Sequence, residues 1–185
     1  MRGMTKAAAE DAIERFALGA ANRLMAGRWL SLWQGNDLPQ YEQFNFTGLS
    51  ELFPNIMLFD VLPGTQVTIR EAGIDVCRIL REDLDGTDWV KRAPLRNRRL
   101  YMRNFSAVAR GAAIVGRRRI SMAFGGPRFN EELMLPFARR ADGTCPVIGH
   151  VDWKMDRLKF GAITKMEVTA NDKILPFGES ATAYL

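Results

Sequence analysis

Apolar residues recur every three or four positions over residues 5–33, which predicts one long amphipathic helix at the N-terminus. Gly35 and Pro39 are expected to end this helix. So wide an apolar face must be buried, either by the sheet of the same domain or by a second copy of the helix. The stripe consists of Ile13, Phe16, Ala17, Ala20 and Leu24, followed by Trp29 and Trp33.

Short runs of apolar or alternating residues, bounded by turn residues, predict five strands near residues 56–62, 66–72, 118–125, 131–139 and 145–154. A Pro-Gly turn joins the first two strands as a hairpin, and the last three form a meander. Short helical turns over residues 74–90 and a second amphipathic helix over residues 96–115 lie between the two groups. Ala112 and Val115 are among the expected buried residues of this second helix. Strands on both sides of a helical middle indicate an α+β domain with one antiparallel sheet.

The chain of 185 residues fits one domain with extensions. We expect an N-terminal helix and linker in residues 1–40, the domain itself in residues 41–155, and a C-terminal extension in residues 156–185 with one further strand at ITKMEVTA. No apolar run approaches the length of a membrane span, and acidic residues stand where a signal peptide would be apolar. A cytoplasmic location with two reduced cysteines is therefore expected.

Basic residues are concentrated in a short part of the chain, which has a net charge of +5. Six Lys and Arg side chains fall between residues 91 and 103, and Arg117, Arg118 and Arg119 follow. The Arg-rich helix 96–119 is therefore a candidate surface for a nucleotide, a nucleic acid or an anionic surface. A solvated helix face is the commoner explanation of such a charge run.

Three stretches carry a resemblance to a known family: LPQYEQFNFTGLSELFPNIMLFDVLP, IREAGIDVCRILREDLDGTDW and ELMLPFARRADGTCPVIGHVDW. In the second stretch, Arg70, Gly73 and the sequence Asp85-Gly86-Thr87 are similar to an "arginine, x, x, glycine … leucine, x, glycine" pattern. The chain resembles, over about residues 22–154, a family of bacterial PAS-like proteins that mostly occur as stand-alone domains.

The resemblance implies a PAS-like fold, with helices on one face of a five-stranded antiparallel sheet and the long N-terminal helix in addition. It also implies a sensory or adaptor role in signal transduction, through a small ligand or a protein partner. It implies no particular ligand and carries no catalytic residue, and fold alone does not establish function.

Catalytic and metal chemistry have no support in the sequence. One histidine and no G-x-S-x-G motif give no hydrolytic triad, and no His/Cys cluster has metal-ligand spacing. His150 is not on a helix, where haem-binding PAS domains usually carry their ligand, so we expect it on the outer sheet face, touching the N-terminal helix. Cys77 lies in DVCRIL, which lacks most of the Asn-Cys-Arg-Phe-Leu-Gln setting of flavin-binding PAS domains, so a buried thiol is the simpler interpretation. We name no cofactor.

The apolar faces of the second helix and of the later strands are expected to meet in one interior. This interior is either a close-packed core or a cavity for a small apolar ligand. The residues expected to contact such a ligand are Cys77, Phe105, Val108, Met122, Phe124, Leu135 and Val151.

We expect the chain to form a homodimer through its N-terminal helix, because the apolar stripe is wider than one helix on one sheet requires. The alternative is that the helix folds back on Ile148 and His150 and leaves a monomer. Nucleic acid is a partner only in the alternative function described above. The predicted interface residues are Ile13, Phe16, Ala20 and Leu24.

Overall fold

The computed structural model describes residues 6–16, 18–34, 37–62, 64, 66–122, 128–153, 163–167 and 173–176. The helices are α1 Lys6–Arg15, α2 Ala20–Ser31, α3 Ile74–Leu80, α4 Trp89–Arg92 and α5 Leu95–Val108, with 3-10 helices at Tyr41–Gln43 and Ser50–Asn55. The strands are β1 Ile56–Leu62, β2 Gln66–Ala72, β3 Ala112–Met122, β4 Arg128–Pro136, β5 Cys145–Trp153, β6 Ile163–Glu167 and β7 Lys173–Pro176.

One antiparallel sheet contains all the described strands. Its central order is β2-β1-β5-β4-β3, and the short strands β6 and β7 both pair with β3. The predicted α+β class and the five-stranded antiparallel sheet are therefore confirmed. The further strand expected in ITKMEVTA is present as β6.

Each face of the sheet is covered by a different layer, because successive strand residues point to opposite faces. On β1, Leu58 packs with the N-terminal layer and Phe59 packs with the layer of α3, α4 and α5. The N-terminal layer buries Ile13, Met25, Trp29, Leu30, Trp33, Phe44 and Leu49. The opposite layer buries Val76, Leu84, Val90, Tyr101, Phe105 and Val108.

The N-terminal segment is two helices, so the prediction of one continuous helix was wrong. Helix α1 ends at Arg15 and α2 begins at Ala20, with Gly19 in an extended conformation as the N-cap. The backbone N–H of Gly19 donates to the Glu131 carboxylate at 2.8 Å. Further along α2, Trp29 Nε1 donates to the backbone oxygen of Pro136 at 2.7 Å. Helix α2 is therefore folded onto the sheet of its own chain.

The predicted helix over residues 96–115 is also corrected. Helix α5 ends at Val108, Gly111 takes a left-handed φ of 97°, and β3 begins at Ala112. Gly111 takes this φ between α5 and β3 at little cost because it has no Cβ. Ala112 and Val115, expected on the helix, belong to β3, where β7 and β4 pair with the segment. Arg117, Arg118 and Arg119 accordingly lie on a strand, so the predicted Arg-rich helix 96–119 does not exist as one element.

The β4 side chains point to the opposite sheet faces from those predicted, as if the strand were shifted by one residue. Leu133, Leu135 and Phe137 pack with the N-terminal layer, and Met134 packs with the α5 layer. Three consecutive apolar residues, Leu133-Met134-Leu135, fit either alternation, and a shift of one residue exchanges the two faces. Leu135 is therefore on the sheet face opposite to Phe105 and Val108.

Candidate ligand-binding cleft

The interior between α5 and the sheet is mostly filled. Phe105 and Val108 have no exposed surface, and the Phe59 and Phe105 ring centroids are 5.0 Å apart. A cavity of about 30 Å³ lies beside them, with Trp89 and Trp153 in its lining. The indole nitrogens of both tryptophans are buried and have no hydrogen-bond partner among the described residues. Space for about two water molecules next to two indole donors suits bound water better than an organic ligand.

The predicted ligand contacts are only partly brought together. Phe105 and Val108 belong to the same buried cluster, Cys77 is half-buried at its edge, and Val151 lines the small cavity. Leu135 is on the other face of the sheet. The side chain of Met122 and the whole of Phe124 lie outside the described residues.

A larger cleft of about 280 Å³ opens on the N-terminal face of the sheet. The segment that contains the two 3-10 helices crosses β1 there and provides aromatic walls over an apolar floor. Edge-to-face contacts hold these rings in place, with centroid distances of 4.9 Å for Phe44–Phe46 and 5.8 Å for Phe46–Phe53. The lining residues are Tyr41, Phe46, Phe53, Ile56, Leu58, Glu71 and Gly73.

A β-bulge places two charged residues beside this cleft. The register of β1 and β2 shifts between Leu58, which is opposite Glu71, and Phe59, which is opposite Ile69, so Arg70 is the extra residue. Bulges redirect side chains in this way. The Arg70 guanidinium lies 4.4 Å from the centroid of the Tyr41 ring, and its neighbour Glu71 lines the cleft.

The two arginines near Tyr41 share one carboxylate. Asp60 accepts a hydrogen bond from Arg140 Nη1 at 2.9 Å and has Arg70 Nη1 at 3.8 Å. Burial raises the pKa of the Tyr41 hydroxyl, although Arg70 and Arg140 act in the opposite direction. The Tyr41 hydroxyl is therefore a protonated donor at neutral pH. Glu71 forms no salt bridge within the part of the chain that the structure describes.

The residues of the motif that carries the family resemblance have structural roles at the edge of β2 and beside the cleft. Residues 84–88 cover the outer edge of β2: Ile69 N–H donates to Thr87 O at 2.9 Å, and Gly86 N–H donates to Ile69 O at 2.7 Å. A Cβ on Gly73 would lie 2.3 Å from the backbone oxygen of Phe53, so this position requires glycine. Of the motif residues, Arg70 contacts the Tyr41 wall, and Gly73 itself lines the cleft.

His150 occupies the predicted place, against the N-terminal layer. Its Nδ1 lies 2.7 Å from Asn22 Oδ1, and Asn22 Nδ2 donates to Glu131 Oε1 at 2.9 Å. Because Asn22 uses its amide nitrogen toward Glu131, the histidine Nδ1 is the donor to Asn22. All three side chains are buried. In the described ranges, no group of three His, Cys, Asp or Glu residues is arranged to hold a metal ion.

Neither cysteine is placed as an activated nucleophile. The Cys145 thiol is buried and donates to the backbone oxygen of Ala109 at 3.3 Å, and burial raises its pKa. Cys77 is half-buried, with its sulfur 3.9 Å from the backbone oxygen of Ala72. The thiolate is the reactive form of cysteine, and burial disfavours it at Cys145.

The exposed side of α5 presents a row of basic residues. Arg96, Arg99 and Arg103 are exposed at helical spacing and have no salt bridge to any residue that the structure describes. Leu95, at the start of the helix, is 79% exposed. Arg117, by contrast, pairs with Glu131 on β4 at 3.3 Å. The charge of Arg117 is therefore paired within the sheet.

Comparison with known proteins adds no assignment: no family model and no curated protein matches the chain. Within the described ranges, none of the helices combines the length and apolar character that crossing a bilayer requires.

The cleft residues were missed by the sequence analysis, although one signal was present. Four aromatic residues, Tyr41, Phe44, Phe46 and Phe53, fall within thirteen positions that lie outside any regular apolar alternation. Such a cluster in a segment without helix or strand periodicity is a candidate wall for a binding site. Glu71 has no comparable signal, because only the bulge in β2 directs it to this face.

Proposed function

We propose that this chain is a cytoplasmic, non-catalytic PAS-like sensory or adaptor domain that binds a small ligand or a protein partner in signal transduction. The observation that carries the proposal is the cleft of about 280 Å³, which combines an apolar floor, aromatic walls and one carboxylate. Its volume is close to the lower end of the range for small-molecule sites, so it suits a small ligand.

The order of elements supports the PAS-like part of the proposal. Two strands, short helices, a longer helix and three strands follow one another along the chain, as the family resemblance implies.

Contacts between the cleft and the N-terminal helices support an adaptor role. Tyr41 packs edge-to-face on Phe137, with ring centroids 5.5 Å apart. Phe137 follows Pro136, whose backbone oxygen accepts the Trp29 hydrogen bond from α2. A ligand that moves Tyr41 therefore acts within two residues of an anchor of α2.

Native mass spectrometry of the full chain, purified without denaturant, tests the ligand. We expect a retained small molecule in the wild type and its loss in Phe53→Ser, which removes an aromatic wall of the cleft without adding a charge. Leu95→Ser is the control, because it removes an exposed apolar side chain outside the cleft. A molecule that both variants retain or both lose would contradict binding in the cleft.

A second candidate function is binding of a nucleotide, a nucleic acid or an anionic surface by the exposed face of α5. The row Arg96, Arg99 and Arg103 favours it. Binding to single-stranded DNA, measured over a range of salt concentrations, should then weaken as salt rises. Replacing all three arginines by alanine should reduce the salt slope by about 2, from the contribution of each contact to counterion release. A salt-independent or undetectable interaction would eliminate this candidate.

The homodimer remains part of the proposal with a reduced interface. Ile13 is buried against the sheet of its own chain and Phe16 is half-buried on the same cluster. Ala20 and Leu24 are exposed on the outer side of α2, and Leu24 is 49% exposed. Only these two of the four predicted interface residues are therefore available to a second copy.

A further inference from the structure

We propose that the cleft selects a cationic amphipathic ligand, a protonated amine on a small apolar body. This inference rests on the proposed function, since it names the chemical class that the same cleft takes.

The apolar part of the ligand is specified by the floor and walls. Ile56 and Leu58 form a floor that is 6% and 8% exposed, and Phe46 and Phe53 form walls above it. Phe53 leaves 45% of its surface exposed, so a ligand seated beside it removes further apolar area from water. An apolar body of about the size of one side chain therefore gains most of its affinity from this surface.

The charged part of the ligand is specified by Glu71. This residue lines the cleft, pairs with Leu58 across the two strands, and has no salt bridge among the described residues. A carboxylate beside an apolar floor is the partner that an ammonium group on an apolar body requires. Aromatic rings add to this preference, because their faces attract cations.

The neighbouring arginines do not favour an anion instead. Arg70 and Arg140 share the carboxylate of Asp60, and Arg70 also covers the Tyr41 ring. Neither arginine is part of the cleft lining. Glu71 is the charged residue of the cleft lining and has no salt bridge among the described residues, so the lining itself offers a carboxylate to a cation.

Three probes of similar shape and different charge test the inference: phenethylamine, 2-phenylethanol and 3-phenylpropionate. Each is titrated at pH 7 into the full ¹⁵N-labelled chain, and amide shift changes give both location and affinity. We expect changes around Tyr41, Phe53 and Glu71, with the amine binding about fivefold more tightly than the alcohol, the ratio that corresponds to an ion pair of about 1 kcal/mol. The propionate is expected to bind most weakly.

Two glutamate variants identify the source of the preference. Glu71→Gln should bring the amine and the alcohol to nearly equal affinity. Glu51→Gln removes an exposed carboxylate of the neighbouring 3-10 helix, which is outside the cleft lining, and should keep the fivefold difference. Three outcomes would overturn the cation inference while leaving the cleft as a binding site. They are equal affinities in the wild type, tighter binding of the propionate, and an unchanged preference in Glu71→Gln. Shift changes away from the cleft with all three probes would contradict the proposed site itself.

Discussion

Asn22 has no exposed surface, yet both ends of its side-chain amide are hydrogen-bonded to charged or titratable residues of the sheet. It is the third residue of α2 and bridges Glu131 on β4 to His150 on β5. Glu131 also accepts the N–H of Gly19, so one carboxylate fixes the start of the helix. Carboxylates are favourable at a helix N-terminus, where backbone N–H groups are unpaired. This network explains why α2 begins at Ala20 rather than continuing from α1.

Replacing Asn22 by alanine should therefore be costly. The change removes one hydrogen bond from the buried Glu131 carboxylate and one from the buried His150 ring, and we expect the free energy of unfolding in urea to fall by about 3 kcal/mol. Asn45→Ala is the control, because the exposed Asn45 accepts one hydrogen bond within a turn, from Thr47 N–H. Its cost should stay below about 1 kcal/mol. Equal costs for the two variants would show that the buried network is not important for stability.

The two cysteines should differ in reactivity. Burial raises the pKa of Cys145, so its thiol stays protonated at neutral pH and has little access to reagent. We expect iodoacetamide at pH 7.5 to modify Cys77 first and to leave Cys145 unmodified until the protein unfolds, as measured by peptide mass spectrometry. Because the folded-state pKa of Cys145 is raised, its contribution to stability is complete below the unfolded pKa and is lost as the pH rises through the folded one. Modification of Cys145 in the native protein would contradict this placement.

At the scale of elements, close backbone contacts constrain the corner between Ser50–Asn55 and the start of α3. Gly73 N–H donates to Ile56 O at 2.7 Å, and the backbone of Phe53 and Pro54 leaves no space for a side chain. The close approach sets the depth of the cleft, because Phe53 is one of its walls and Gly73 is part of its lining.

Gly73→Ala should consequently destabilise the protein. The added Cβ would lie 2.3 Å and 2.4 Å from two backbone oxygens, which cannot move as a side chain can. We expect a loss of more than about 2 kcal/mol in thermal or urea unfolding. Gly27→Ala makes the same change in α2, where no atom outside the local helix backbone lies within 4 Å of the new Cβ, and should stabilise by about 0.5–1 kcal/mol. A neutral Gly73→Ala would mean that the corner is looser than the structure indicates.

The elements that the sequence predicted well are those whose limits depend on local signals. The hairpin of β1 and β2 has an apolar run, an alternating partner run and a Pro-Gly turn between them, and its limits agree with the structure. Residues 112–115 lack such a signal, since Ala-Ala-Ile-Val fits a helix or a strand, and pairing with β4 and β7 decides in favour of the strand. The cleft was missed for a similar reason, because it arises where a non-periodic segment crosses a bulge, and neither the crossing nor the bulge is visible in the pattern.

Considered as a whole, the molecule uses its N-terminal segment to complete the core. Trp29 and Met25 have no exposed surface and lie in one cluster with sheet residues Leu133 and Leu135. A chain beginning at Gln40 would expose this face of the sheet, so truncation cannot distinguish an interface from a missing part of the core. The assembly must be tested by substitutions on the outer side of α2.

We expect the full chain to form a homodimer through that outer side. Ala20 and Leu24 are exposed one helical turn apart, and the small alanine permits close approach of a second helix. Burial of a leucine is worth about 1.5–3 kcal/mol. Every contact occurs twice in a two-fold symmetric dimer, so one substitution changes both halves of the interface. Leu24→Asp should convert the dimer to a monomer in size-exclusion chromatography with light scattering. Leu95→Asp, which changes an equally apolar and more exposed residue on α5, should leave the dimer unchanged. A wild-type chain that stays monomeric at high concentration would refute the dimer, and a dimer that persists in Leu24→Asp would require an interface on another surface.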